Sequence, residues 1–178
     1  VAERLRHWRP PFVVLDPVMV AKSGDRLLRA DAVQAMRDEL LPLATVVTPN
    51  LPEAGDLIGR EMTERVEDMQ AAARALAALG AKHALVKGGH GSGETLVDLL
   101  HDGTRFVELP APRIATKNTH GTGCTLSSAI AALLPQRPSV EAAVRDARDY
   151  VLGAIRAADQ LQVGSGHGPL HHFHTLWR

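Results

Sequence analysis

The sequence predicts an α/β layered fold with a mostly parallel central sheet. Three observations carry that expectation. Short apolar runs at residues 12–16 ("FVVLD"), 44–50 ("ATVVTPN") and 83–89 ("HALVKGG") each end in polar residues, as strands buried on both faces do. Stretches of helical spacing separate those runs. A turn signal, Asp102-Gly103, sits between two alternating segments.

In chain order, "VAERLRHWRPP" reads as the end of an amphipathic helix stopped by Pro10 and Pro11, because proline cannot continue a helix. After the first strand, residues 31–41 ("DAVQAMRDELL") are helical, with Asp31 as N-cap. The second strand leads into a short helix, "LPEAGDLIG". A longer helix, "VEDMQAAARALAALG", follows and is closed by Gly80. The third strand precedes "TLVDLLHDGTRFVELP", a hairpin turning at Asp102-Gly103. Two helices come next, over residues 122–134 and from Ser139 to about Gln162, ahead of a Gly- and His-rich tail. With 178 residues, no repeat and no long linker, residues 1–178 form a single domain.

Composition narrows the function. Hydrophobic residues make up 45% and charged residues 22%, as in ordinary globular proteins. Lys plus Arg and Asp plus Glu both number 20, and this balance argues against a nucleic-acid partner. No apolar run reaches the ~18 residues of a membrane span, and the start lacks a signal-peptide pattern, so no membrane partner is expected. The single cysteine, Cys124, cannot form an internal disulfide, which points to the cytoplasm.

Ligands in parallel sheets gather at the carboxyl ends of strands, where Asp16, Thr48 with Asn50, and Lys87 fall. An acid ending an apolar strand must cap, pair or bind a metal. A lysine before glycines either binds phosphate or snorkels to water. Asn50 and Glu53 fit a capping box, the reading their spacing favours; the alternative is an amide and a carboxylate near phosphate-bound Mg²⁺. Gly121, Thr122, Gly123 and Cys124 stand at the head of a helix. Free N–H groups there attract anions, glycines admit close approach, and a cysteine is favoured as thiolate. The alternative is a tight turn followed by a small buried thiol. Neither a P-loop nor the dinucleotide glycine spacing is present. The tail histidines, His167, His171, His172 and His174, match no zinc spacing and suit packing or ligand closure.

Together, "DPVMVAKSGDRLL", "TPNLPEA", "VKGGH", "KNTHGTGCTLSSAIAA" and "GPLHHFH" resemble the hydroxymethylpyrimidine/phosphomethylpyrimidine kinases of thiamine biosynthesis. These belong to the ribokinase-like superfamily. The resemblance runs from about Pro11 to the C-terminus and is specific, with five motifs in order. It implies a ribokinase-like fold and ATP-dependent phosphorylation of the pyrimidine alcohol and then of its monophosphate. ATP and Mg²⁺ would be the cofactors, and a small pyrimidine the substrate. Gly121, Thr122 and Gly123 would form the anion hole, and Cys124 would take the place of the superfamily's usual aspartate base. Asn50 and Glu53 match the Asn-x-x-Glu motif that organises Mg²⁺ and phosphates. Asp16 would lie by the metal and reacting hydroxyl, Val18 by the pyrimidine, and Lys87 and Thr119 by the ATP phosphates.

Family members carry a segment ahead of the position matching Val1, and it supplies the first strands and much of the alcohol side of the site. The chain is therefore expected to be the C-terminal, nucleotide-binding portion, with activity impaired in this form. A pyridoxal kinase of the same superfamily and a non-catalytic nucleotide-binding remnant are the alternatives. A homo-oligomer is compatible with each reading.

Overall fold

The computed structural model describes residues 1–19, 27–88 and 93–177. Residues 20–26 of the first family motif, and Gly89 and His90 of "VKGGH", lie outside the described residues. The chain divides into two units, Val1–Pro112 and Arg113–Arg178.

The first unit is built on a five-stranded sheet in the order β1 (Val14–Leu15), β2 (Val46–Val47), β3 (His83–Val86), β4 (Thr95–His101), β5 (Phe106–Pro112). Strands β1, β2 and β3 run parallel, with Val14 opposite Val46 and Val47 opposite Ala84. The β3–β4 and β4–β5 pairings are antiparallel, so the sheet is mixed. Helical crossovers separate the parallel strands, whereas a tight turn joins β4 to β5. That turn is the one expected at Asp102-Gly103. The Asp102 carboxylate accepts the N–H groups of Thr104 and Arg105 at 2.9 and 2.8 Å. Strand β5 lies at the sheet edge and carries exposed Pro110 and Pro112, a position that tolerates a missing ladder donor.

The helices follow their sequence signals closely. Helix α1 (Ala2–Trp8) stops at Arg9, whose left-handed φ of 45° leads into Pro10. Helix α2 (Ala30–Ala35) begins one residue before the expected N-cap and continues into a π-helical turn at Met36–Leu40. Its N-cap is Arg29, in extended conformation, and Asp31 instead accepts the Ala32 N–H from within the first turn. Helix α3 (Leu51–Ile58) runs from Asn50 to a left-handed Gly59. Helix α4 (Val66–Ala78) buries Met69, Ala72, Ala73 and Leu76, the i, i+3, i+4, i+7 stripe of an amphipathic helix. That stripe packs on β3 and β4. It joins Val47, Leu51, Leu57, Ala84, Val86 and Leu99 in the core of this unit.

In the second unit, α5 (Thr122–Leu133) packs against α6 (Val140–Arg156). Leu126 and Ile130 of α5, and Ala143, Ala147, Val151 and Ala154 of α6, are buried. The alanines allow the helices to approach closely. Ser139 caps α6 by accepting the Ala142 N–H at 3.1 Å. Helix α6 ends at Arg156, earlier than its spacing suggests, and a 3₁₀ turn at Ala158–Gln160 follows. Among the described residues, no helix is long and apolar enough to cross a membrane.

Candidate active site

The three parallel strands deliver their next polar residues to one place. Thr48, fully buried after β2, donates its hydroxyl to Asp16 Oδ1 at 3.0 Å. Lys87 Nζ reaches the same oxygen at 3.3 Å from the end of β3. The Lys87 and Asp16 side chains are only 16% and 14% exposed. They are therefore a desolvated pair, in which removing one partner strands the other charge. Lys87 is fixed further by its main chain, whose N–H donates to the Pro49 carbonyl at 2.8 Å in a parallel bridge with Asn50.

That bridge brings in Asn50 and Glu53. The capping box is real: Asn50 Oδ1 accepts the Glu53 N–H at 2.9 Å, and Glu53 Oε2 accepts the Asn50 N–H at 2.8 Å. Yet Glu53 is 6% exposed, far more buried than a cap requires. Burial pushes its carboxyl above the usual carboxylate range. The Asn50 N–H and the Lys87 charge oppose that shift, the Asp16 charge adds to it, and the Met19 N–H opposes it. Because the Asp16 charge adds to the cost of ionising Glu53, a hard cation beside Glu53 would relieve that cost. Among the described residues no cluster of three or more metal-ligating side chains occurs. A two-carboxylate oxygen set suits Mg²⁺ shared with phosphates rather than an all-protein cage.

The second unit holds the glycine–cysteine stretch. Gly121, at the N-cap of α5, is left-handed (φ 83°), and no side chain caps this helix. A Cβ on Gly121 would meet nothing within 4 Å, so backbone conformation and not crowding calls for glycine here. The first-turn N–H groups lack partners within α5, while the Thr122 N–H donates to the Thr119 carbonyl at 3.4 Å. Cys124 is exposed on this turn, which removes the buried-thiol alternative. Thr122 Oγ1 donates to the Thr119 carbonyl at 2.9 Å, closing the loop on itself. Val18, in the first unit, is 42% exposed and donates its N–H to the Asp16 carbonyl at 3.0 Å.

Sequence reasoning passed over Asn118. It is 6% exposed, and its amide bonds Ala158 O at 3.3 Å, Asp159 Oδ1 at 2.9 Å and the Gly168 N–H at 3.1 Å. It thereby anchors the loop entering α5. Its only signal was an asparagine beside a threonine before glycines. The tail histidines form no metal cluster among the described residues. His167, His172 and His174 contact Lys117 O, Thr125 Oγ1 and His171 O.

Residues 1–171 match the family model described as phosphomethylpyrimidine kinase. The chain belongs to that family. A hydroxymethylpyrimidine/phosphomethylpyrimidine kinase of Rhizobium meliloti is 52% identical over 178 residues, covering 100% of this chain and 66% of the relative. The enzyme of the same description from Escherichia coli is 46% identical over 177 residues, again covering 66% of the relative. The chain thus spans just under two thirds of the length of these two relatives. Among solved structures, the pyridoxal kinase of Staphylococcus aureus in complex with ADP superimposes with a TM-score of 0.89 at 36% identity. The match covers 98% of this chain and 63% of that one. The family's α/β fold is therefore the fold of this chain, with its candidate residues at strand ends and at a helix N-terminus.

Proposed function

We propose that this chain serves the ATP-dependent phosphorylation of hydroxymethylpyrimidine and of its monophosphate, with both units contributing to a single kinase domain. The observation that carries the reading is the head of α5, where a helix N-terminus without a side-chain cap, an open left-handed Gly121 and an exposed Cys124 occur together. Phosphoryl transfer needs charge stabilisation and in-line positioning more than covalent catalysis. Gly121, Thr122 and Gly123 supply main-chain donors to the transferring phosphoryl oxygens, and Thr119 shapes the loop beside them. Cys124 Sγ takes the proton of the acceptor hydroxyl as its oxygen bonds to phosphorus and the bond to ADP breaks. Lys87 offers its charge to the nucleotide phosphates. Asp16 and Glu53 hold Mg²⁺, with Asn50 fixing Glu53 through the cap, and Val18 stands at the pyrimidine. When bound, Mg²⁺ neutralises phosphate charge.

A second reading has its own support. The likeness to a pyridoxal kinase shows that this fold also serves another acceptor alcohol. One assay separates the readings: the chain with ATP and Mg²⁺ is offered hydroxymethylpyrimidine, its monophosphate and pyridoxal. Phosphorylation of both pyrimidines supports the proposal, and preference for pyridoxal replaces it. ADP binding without turnover identifies a non-catalytic nucleotide-binding remnant.

A further inference from the structure

The stretch Gly121–Cys124 is held at both ends by one short piece of the C-terminal tail. Ahead of it, the His120 N–H donates to the Gly168 carbonyl at 3.2 Å, and His120 pairs with Pro169 in a parallel bridge. Behind it, Thr125 Oγ1 lies 3.1 Å from His172 Nε2. Thr125 directly follows Cys124 in the chain.

The tail is itself well anchored. Leu170 and His171 are 1% and 3% exposed. The His171 N–H donates to Ala154 O of α6 at 3.1 Å. Tyr150 of α6 donates its hydroxyl to the His172 carbonyl at 3.0 Å. His174 lies against Gly153, where a Cβ would come within 2.3 Å of its Nε2. The His172 backbone is thus fixed by α6, while its ring is spent on the first turn of α5.

We infer that His172 is a positioning residue: through Thr125 it sets the first turn of α5, and with it the N–H groups and the thiol of Cys124. Its importance to phosphoryl transfer rests on the function proposed above; the bracket itself does not. A helix head that must meet a developing charge gains from being held before the ligand arrives, since donors already in place need no reorganisation. Gly121 gives α5 no side-chain cap, so beside the local bonds from Thr122 to the Thr119 carbonyl the His172 contact restrains this turn from outside the loop.

Hydrogen exchange followed by mass spectrometry on the full chain tests the bracket without any ligand. His172→Ala and Thr125→Val should each speed exchange in the peptide over residues 118–126 by about 2- to 10-fold, the scale of one lost hydrogen bond. The double variant should add nothing to either single change. His172→Gln, whose amide can still meet Thr125, should restore the slow rate. A peptide over residues 143–151 of α6 should not change. Unaltered exchange at 118–126 overturns the inference, as does an equal rise in α6, which would make the tail a general clamp. ADP binding in the presence of Mg²⁺ is measured on the same proteins. If the parent chain binds ADP, both single variants should bind it more weakly, and undiminished binding counts against positioning. If the parent chain binds no ADP, the functional reading fails while the exchange result still decides the bracket.

Discussion

In the proposed reaction Cys124 takes the proton of the acceptor hydroxyl, and it is exposed on the first turn of α5. Replacing it with alanine removes the proton acceptor and leaves the N–H groups in place. Cys124→Ala should therefore lower pyrimidine phosphorylation by ~10²–10⁴-fold, the usual worth of general-base catalysis. ADP affinity, read by calorimetry, should stay close to the parent value. Glu53 separates a cap from a metal ligand. Glu53→Gln keeps an acceptor for the Asn50 N–H, so the capping box survives, but it removes a carboxylate from the Asp16 neighbourhood. We expect activity to demand markedly more Mg²⁺ in a titration, with little loss of melting temperature. The pH dependence has a definite sign. A carboxyl whose folded value is raised binds its proton more tightly in the native state, so its ionisation costs stability as pH rises. The melting temperature of Glu53→Gln relative to the parent should therefore climb as the pH rises above about pH 4, the unfolded carboxylate value. A flat difference would mean that Glu53 ionises in the fold as easily as in the unfolded chain.

At the scale of elements, two turns invite direct tests. The β4–β5 hairpin is held by Asp102, whose carboxylate accepts the Arg105 and Thr104 N–H groups and then the Thr104 hydroxyl. These bonds keep it well below the usual carboxylate range. A depressed folded value gives stability that is complete above the unfolded pKa and is lost as pH falls through the folded one. The melting temperature of Asp102→Ala should lie below that of the parent at neutral pH, and the gap should narrow on acidification below about pH 4. The loop before α5 depends on a close approach: a Cβ on Gly168 would lie 2.3 Å from Asn118 Oδ1. That oxygen cannot simply move away, because the Asn118 amide is buried and bonded at both ends. Gly168→Ala should therefore cost ~1–3 kcal/mol in a denaturant melt, the penalty for unsatisfied buried polar groups. Asn118→Ala should lose a similar amount, and the two changes should not add.

At the scale of the whole molecule, stability rests on apolar burial in each unit. Leu76 is fully buried on the inner face of α4, so Leu76→Ala should destabilise the chain by ~2–5 kcal/mol in a denaturant melt. The sequence by itself determined much of this architecture. Strand runs, the hairpin at Asp102-Gly103 and the cap at Asn50 are signals carried by residues one to four apart, and backbone geometry turns such spacing directly into structure. The Asn50–Glu53 box was legible for that reason, and so were Gly121 to Cys124 at a helix head. What only the tertiary structure decided is how distant residues meet and how deeply they are buried. Asp16 and Lys87 are separated by 71 positions, and no local spacing records their pairing; the parallel register of three strands brings it about. The depth at which the Glu53 carboxyl is buried, and the Asp16 charge that acts on it, are likewise unrecorded in local spacing. Asn118 and Gly168 are 50 positions apart. Their contact exists because the tail packs on α6, and packing depends on complementary shapes that a linear pattern does not spell out.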